Sequence, residues 1–82
     1  MGVILLREFN ISIRSFREVQ EFVALAMVQP FEVLVGNDQQ TINGKGFIGM
    51  LSLDYKQPVR VCVKCTEEEF LRFRQDAAQF LA

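Results

Sequence analysis

The sequence predicts an α+β domain with a four-stranded antiparallel sheet, covered by three helices on one face and open on the other. Two observations carry that expectation. Phe9-Asn10-Ile11-Ser12-Ile13 and Val59-Arg60-Val61-Cys62-Val63-Lys64-Cys65 alternate apolar with polar, as strands buried on one side do. Ser15-Phe16-Arg17-Glu18 and Thr66-Glu67-Glu68-Glu69 have the capping-box form, and each precedes a run of apolar residues at helical spacing. The element order is β-α-β-β-α-β-α. Strands one and two, joined by a helix, should run parallel with room between them for another strand. Two topologies satisfy this: a ferredoxin-like sheet, or an open sheet in which strand four fills the gap. Periodicity does not choose between them.

Each element has a local cause. Phe9, Ile11 and Ile13 should face the core, with Asn10 and Ser12 in water. Val3-Ile4-Leu5-Leu6 lacks alternation, so its faces cannot be assigned; it reads equally as a frayed extension, a covered strand or an interface. The Ser15 oxygen should serve the first free N–H groups of the first helix, with Glu18 reaching back. Phe16, Val19, Phe22, Val23 and Ala26 form its buried stripe with Met27 near the end, and Pro30 stops it. Phe31 to Val35 is a second strand with Phe31, Val33 and Val35 inward. Gly36-Asn37-Asp38 turns the chain into a short third strand, Gln39 to Ile42. After Asn43-Gly44, Gly46 to Leu53 is a short helix weakened by glycine. Phe70, Phe73, Ala77, Phe80 and Leu81 should be the buried stripe of the last helix.

Composition excludes several functions. The chain has 82 residues and 9.4 kDa, expected as one domain over 1–82, and 50% hydrophobic with 23% charged residues is a globular balance. Nine basic against ten acidic residues argue against a nucleic-acid or anionic-membrane partner, both of which need a basic face. No run is apolar enough to span a bilayer, and Gly2–Leu6 is shorter than a signal-peptide core. There is no histidine, so histidine phosphorylation, proton transfer and metal ligation are excluded.

The polar motifs get structural readings. Cys62 and Cys65 spell Cys-x-x-Cys, but on a strand they lie about 10 Å apart on opposite faces, beyond the roughly 7 Å that a disulfide spans. A zinc site would need two further ligands with no histidine to supply them. Cys65 should pack as a small apolar residue and Cys62 carry an incidental thiol, which suits a reducing cytoplasm. Glu67 to Glu69 splay around the helix axis and compensate its dipole rather than chelate. No catalytic residue, metal or cofactor is expected.

One stretch resembles a known family. Ile42-Asn43-Gly44-Lys45-Gly46-Phe47-Ile48-Gly49-Met50-Leu51-Ser52-Leu53, followed by Pro58-Val59-Arg60-Val61, is similar to the second-helix segment of HPr, the small phosphocarrier of the bacterial sugar phosphotransferase system. Its skeleton is Lys45, Gly49, Ser52 and Leu53, and the element order and length agree over nearly the whole chain. The resemblance implies an HPr-like open-faced β-sandwich, sheet order 1-4-2-3, with three helices on one face. It also implies a cytoplasmic, bacterial protein with protein partners.

Both functional positions of that family depart from its pattern. HPr carries its phosphoryl group on a histidine at the start of the first helix; the corresponding residue here is Ser15, flanked by Arg14 and Arg17. The family's regulatory serine at the start of the second helix corresponds to Gly46. A carrier needs a phosphoramidate, and serine would form a stable ester instead. Arg14 and Arg17 retain the charge to pair with an anion, though Glu18 repels one. The reading is therefore a non-enzymatic, HPr-like regulatory or protein-binding domain. Its alternatives are a small-ligand sensor of ferredoxin-like topology and an atypical phosphoacceptor using Ser15. Its partners would be phosphotransferase-system or regulatory proteins, with a homodimer as a further possibility. The family docks partners through apolar residues at the first turns of the second helix, which here are Phe47, Ile48 and Leu51. Independently, Met50 and Leu53 share the face of that helix that meets the core. Phe47, Ile48 and Leu51 leave more apolar surface than that face needs.

Overall fold

In the computed structural model, which describes residues 2–82, the alternating runs form two long strands. β1 (Leu5–Ile11) and β4 (Val59–Cys65) pair antiparallel, from Leu5 opposite Cys65 to Ile11 opposite Val59. α1 (Phe16–Met27) leads from β1 to β2 (Val33–Gly36), and a turn joins β2 to β3 (Thr41–Asn43). α2 (Phe47–Leu51) precedes β4; α3 (Glu67–Asp76) and a 3₁₀ turn at Ala78–Phe80 close the chain. The sheet order is β1-β4-β2-β3, with every neighbour antiparallel. Strand four fills the gap between strands one and two, as the open-faced sandwich requires. The chain does not adopt the ferredoxin-like sheet, and the topological ground for a small-ligand sensor goes with it.

The sheet's helix side is the core. Phe9 and Ile11 lie beside Val59, Val61, Val63 and Cys65, and Val33 and Val35 complete the layer; all are buried. Phe73 of α3 seats its ring among Phe9, Phe22 and Phe31, with centroids 5.6, 6.2 and 5.7 Å away. These tilted and edge-on contacts are the geometry that aromatic quadrupoles favour. Gly44 lies so close to the sheet that a Cβ would sit 2.8 Å from Val33 Cγ1 and 2.9 Å from Val35 Cγ2. That close approach needs glycine, and it fixes where α2 starts. The opposite side of the sheet stays open and carries Leu6, Glu8, Asn10, Arg60, Cys62 and Lys64.

Several boundaries differ from expectation for tertiary reasons. β1 begins at Leu5 and ends at Ile11, with β4 long enough to pair Leu5 and Leu6 of the non-alternating run as well. Ile13 is buried beyond the strand's end. Phe31 precedes β2 and is half-buried against Phe73. β3 shifts to Thr41–Asn43, since Asn37 spends its side-chain oxygen on the N–H groups of Gln39 and Gln40 and holds them in the turn. The last helix does not run to Leu81. It ends near Ala77, where the chain turns so that Leu81 bridges Ile11 at the sheet edge. Phe16 and Met27, expected in the buried stripe of α1, are exposed.

Candidate functional site

The start of α1 is capped as its sequence predicts, with one change. Ser15 Oγ accepts from the Glu18 N–H at 3.2 Å, but Glu18 reaches past the cap residue to the Arg14 N–H at 2.7 Å. The reciprocal arm of the capping box is therefore displaced by one residue. The Arg14 guanidinium lies 3.8 Å from the same carboxylate, and Arg17 lies 3.8 Å from Glu21. Both arginines are turned along the helix toward glutamates rather than gathered over Ser15. These are solvated pairs and contribute little to stability. Thr66 and Glu69, by contrast, complete both arms of the box at α3.

Gly46 stands at the N-cap of α2 with an extended backbone and supplies no side-chain cap. A Cβ there would meet only the Asn43 carbonyl oxygen, at 3.4 Å, so the position has room for a side chain. Met50 and Leu53 turn inward and are buried; Ile48 is 77% exposed and Leu51 40%. Phe47 is half-buried beneath them. Lys45 anchors the approach to α2 by donating from Nζ to the Gln29 carbonyl at 2.8 Å. Behind the helix, the Tyr55 hydroxyl donates to the Met50 carbonyl, and burial pushes the phenol's pKa up to about 12.

The fold brings the two regions into one surface. Phe16, 58% exposed at the first turn of α1, meets Phe47 edge-on with centroids 5.5 Å apart. An open cleft of about 430 Å³ lies beside this contact, lined by Ser15, Phe16 and Val19 from the start of α1 and by Leu51, Tyr55 and Lys56 from the end of α2 onward. Ser15 thus borders an apolar strip of Phe16, Phe47, Ile48 and Leu51. Sequence reasoning missed Phe16 as a member of the strip and Tyr55 as a wall of the cleft. Phe16 directly follows the cap, where a side chain overhangs the helix end, and that position was the available signal; nothing local marks Tyr55.

The cysteines lie apart from this surface. Both are free: Cys65 is buried, and Cys62 points to the open side of the sheet, where its thiol donates to Glu8 at 3.4 Å. Burial raises the Cys62 pKa most, and the hydrogen bond and charge of Glu8 add to it. Burial likewise raises that of Cys65. Neither thiol has the lowered pKa of a redox or nucleophilic site.

An antiparallel 1-4-2-3 sheet with helices on one face, and a helix-bordered cleft at the start of the first helix, define the class: an HPr-like open-faced sandwich. Comparison with solved structures agrees. The chain is similar to the crystal structure of HPr-C-His from Thermoanaerobacter tengcongensis, with a TM-score of 0.69 and 21% sequence identity over 92% of this chain and 91% of that one. At that identity the likeness shows the fold alone. No family profile matches the chain, and neither does any curated protein.

Proposed function

We propose that this is an HPr-like protein of the bacterial sugar phosphotransferase system family that has given up phosphoryl transfer. It acts in the cytoplasm as a regulatory, protein-binding domain, is not an enzyme, and self-associates. One observation carries the reading: Phe16, Phe47, Ile48 and Leu51 form a partly solvated apolar strip where a phosphocarrier would present its histidine. Such patches on small domains mark interaction sites. The chemistry on offer supports binding over transfer, since Ser15 is engaged as a helix cap and Glu18 places a negative charge beside it.

The phosphocarrier half of this reading has a direct test. Incubated with phosphoenolpyruvate and the first enzyme of the phosphotransferase system, the protein should keep its unmodified intact mass and gain no acid-labile phosphate. A phosphorylated species that passes its group to a sugar-specific acceptor would overturn the reading.

A further inference from the structure

Val3, Ile4, Leu5 and Leu6 are each 52–68% exposed, although Leu5 and Leu6 belong to a regular strand. They lie at the sheet's edge, since β1 has β4 on one side and, among the described residues, no strand along most of the other. The chain protects its other edge surfaces. β3, at the far edge, is three residues long and carries polar Thr41 and Asn43. The end of β1 is covered by the C-terminal segment: the Ser12 N–H donates to the Phe80 carbonyl at 2.7 Å, and the Ala82 N–H to the Asn10 carbonyl at 3.1 Å. These are the devices by which folds blunt strand edges. The stretch from Val3 to Leu6 has neither polar side chains nor a covering segment among the described residues.

The same hydrogen bonds give the orientation of that edge. Asn10 and Ser12 turn their backbone groups outward, so by the two-residue period Ile4, Leu6 and Glu8 do as well. The segment before the strand is held in line. Arg7 donates from Nε to the Cys65 carbonyl at 3.0 Å and from Nη2 to the Val3 carbonyl at 3.3 Å. An extended, apolar donor–acceptor ladder is therefore already in place.

We infer that this ladder pairs antiparallel with the same strand of a second copy, about a two-fold axis at Leu5, to make a continuous eight-stranded sheet. Charge and ladder length together select the register: a two-fold at Ile4 opposes no like charges but pairs only Gly2 to Leu6, against Gly2 to Glu8 for one at Leu5. A two-fold at Arg7 or Glu8 would put Arg7 opposite Arg7, or Glu8 opposite Glu8, and like charges directly opposed destabilise a strand pair. A two-fold at Leu6 sets Ile4 against Glu8 and Leu5 against Arg7. Centred on Leu5, the register opposes Leu5 to Leu5 and, twice, Ile4 to Leu6, with Arg7 moved outward to Val3. Every central pair is then apolar, and the strand is complementary to itself, as an isologous interface must be. This deepens the self-association in the proposed function and leaves the α2 surface free.

Light scattering on the full chain, over an about hundredfold dilution series, tests it. The wild type should show twice the 9.4 kDa chain mass at high concentration. Leu5→Lys places two ammonium groups face to face and should raise the dissociation constant at least about tenfold while the circular dichroism spectrum is unchanged. An equimolar mixture of Leu5→Lys and Leu5→Glu should recover the dimer. The Ile48→Ser/Leu51→Ser variant should still dimerise. A monomer at every concentration, a dimer indifferent to Leu5→Lys, no recovery in the mixture, or a dimer lost through α2 would each overturn the inference. The last would place self-association on the α2 surface; the others leave that surface's partner binding untouched.

Discussion

Phe73→Ala should cost about 3–5 kcal/mol of folding stability, the range for emptying a buried aromatic site. The ring is fully buried and touches the rings of Phe9, Phe22 and Phe31, which arrive from a strand, a helix and a loop. Those three are held by separate backbone segments and cannot collapse together into the space. A chain this size has roughly 4–12 kcal/mol in total, so the variant would sit near the edge of folding. With a urea slope of about 1 kcal/mol per molar, the denaturation midpoint should fall by roughly 3–5 M. A midpoint within experimental error of the wild type would mean that the aromatic cluster is not the centre of the core.

Two neighbouring substitutions on α2 should behave oppositely. Met50→Ala removes a fully buried side chain from beneath the helix and should cost about 2–5 kcal/mol. Ile48→Ser with Leu51→Ser removes apolar surface from the solvent side and should change stability by no more than about 1 kcal/mol. Thermal or urea unfolding of the two variants in parallel reads the difference. If the serine pair proves as damaging as Met50→Ala, the outer face of α2 is covered rather than offered to a partner.

The strands were legible because burial is one-sided. Val59 to Cys65 alternate so strictly that the inward set reads directly from the residues, and the structure buries all four. Helix starts were legible for the same local reason, since a cap and its partner are three residues apart. Where β4 inserts was not legible. Pairing Phe9 with Val61 and Val35 with Val61 is a contact between distant segments, and periodicity carries no term for it. Only the resemblance around Lys45 to Leu53 chose the order.

The same division separates the hits from the misses at the site. Helical spacing put Met50 and Leu53 on the inward face, and the resemblance together with the surplus apolar surface put Ile48 and Leu51 outward; the structure buries the first two and exposes the second two. Phe16 fits the stripe of α1 by spacing, yet it is exposed and meets Phe47 instead. The end of α3 shows the converse. Nothing in Asp76-Ala77-Ala78-Gln79 breaks a helix, and the turn there follows from Leu81 reaching Ile11. Val3 to Leu6 were unassignable because both faces are apolar, and the structure leaves both faces exposed.

The central claim is that the α2 surface binds a protein partner. Affinity capture from the native cell lysate tests it most directly, with the wild type and the Ile48→Ser/Leu51→Ser variant as parallel baits and quantitative mass spectrometry of what each retains. The account predicts one or more proteins enriched on the wild type and reduced at least about tenfold on the variant, as loss of two central apolar contacts should produce. Equal retention of the same proteins on both baits would contradict it and move the binding surface elsewhere on the chain.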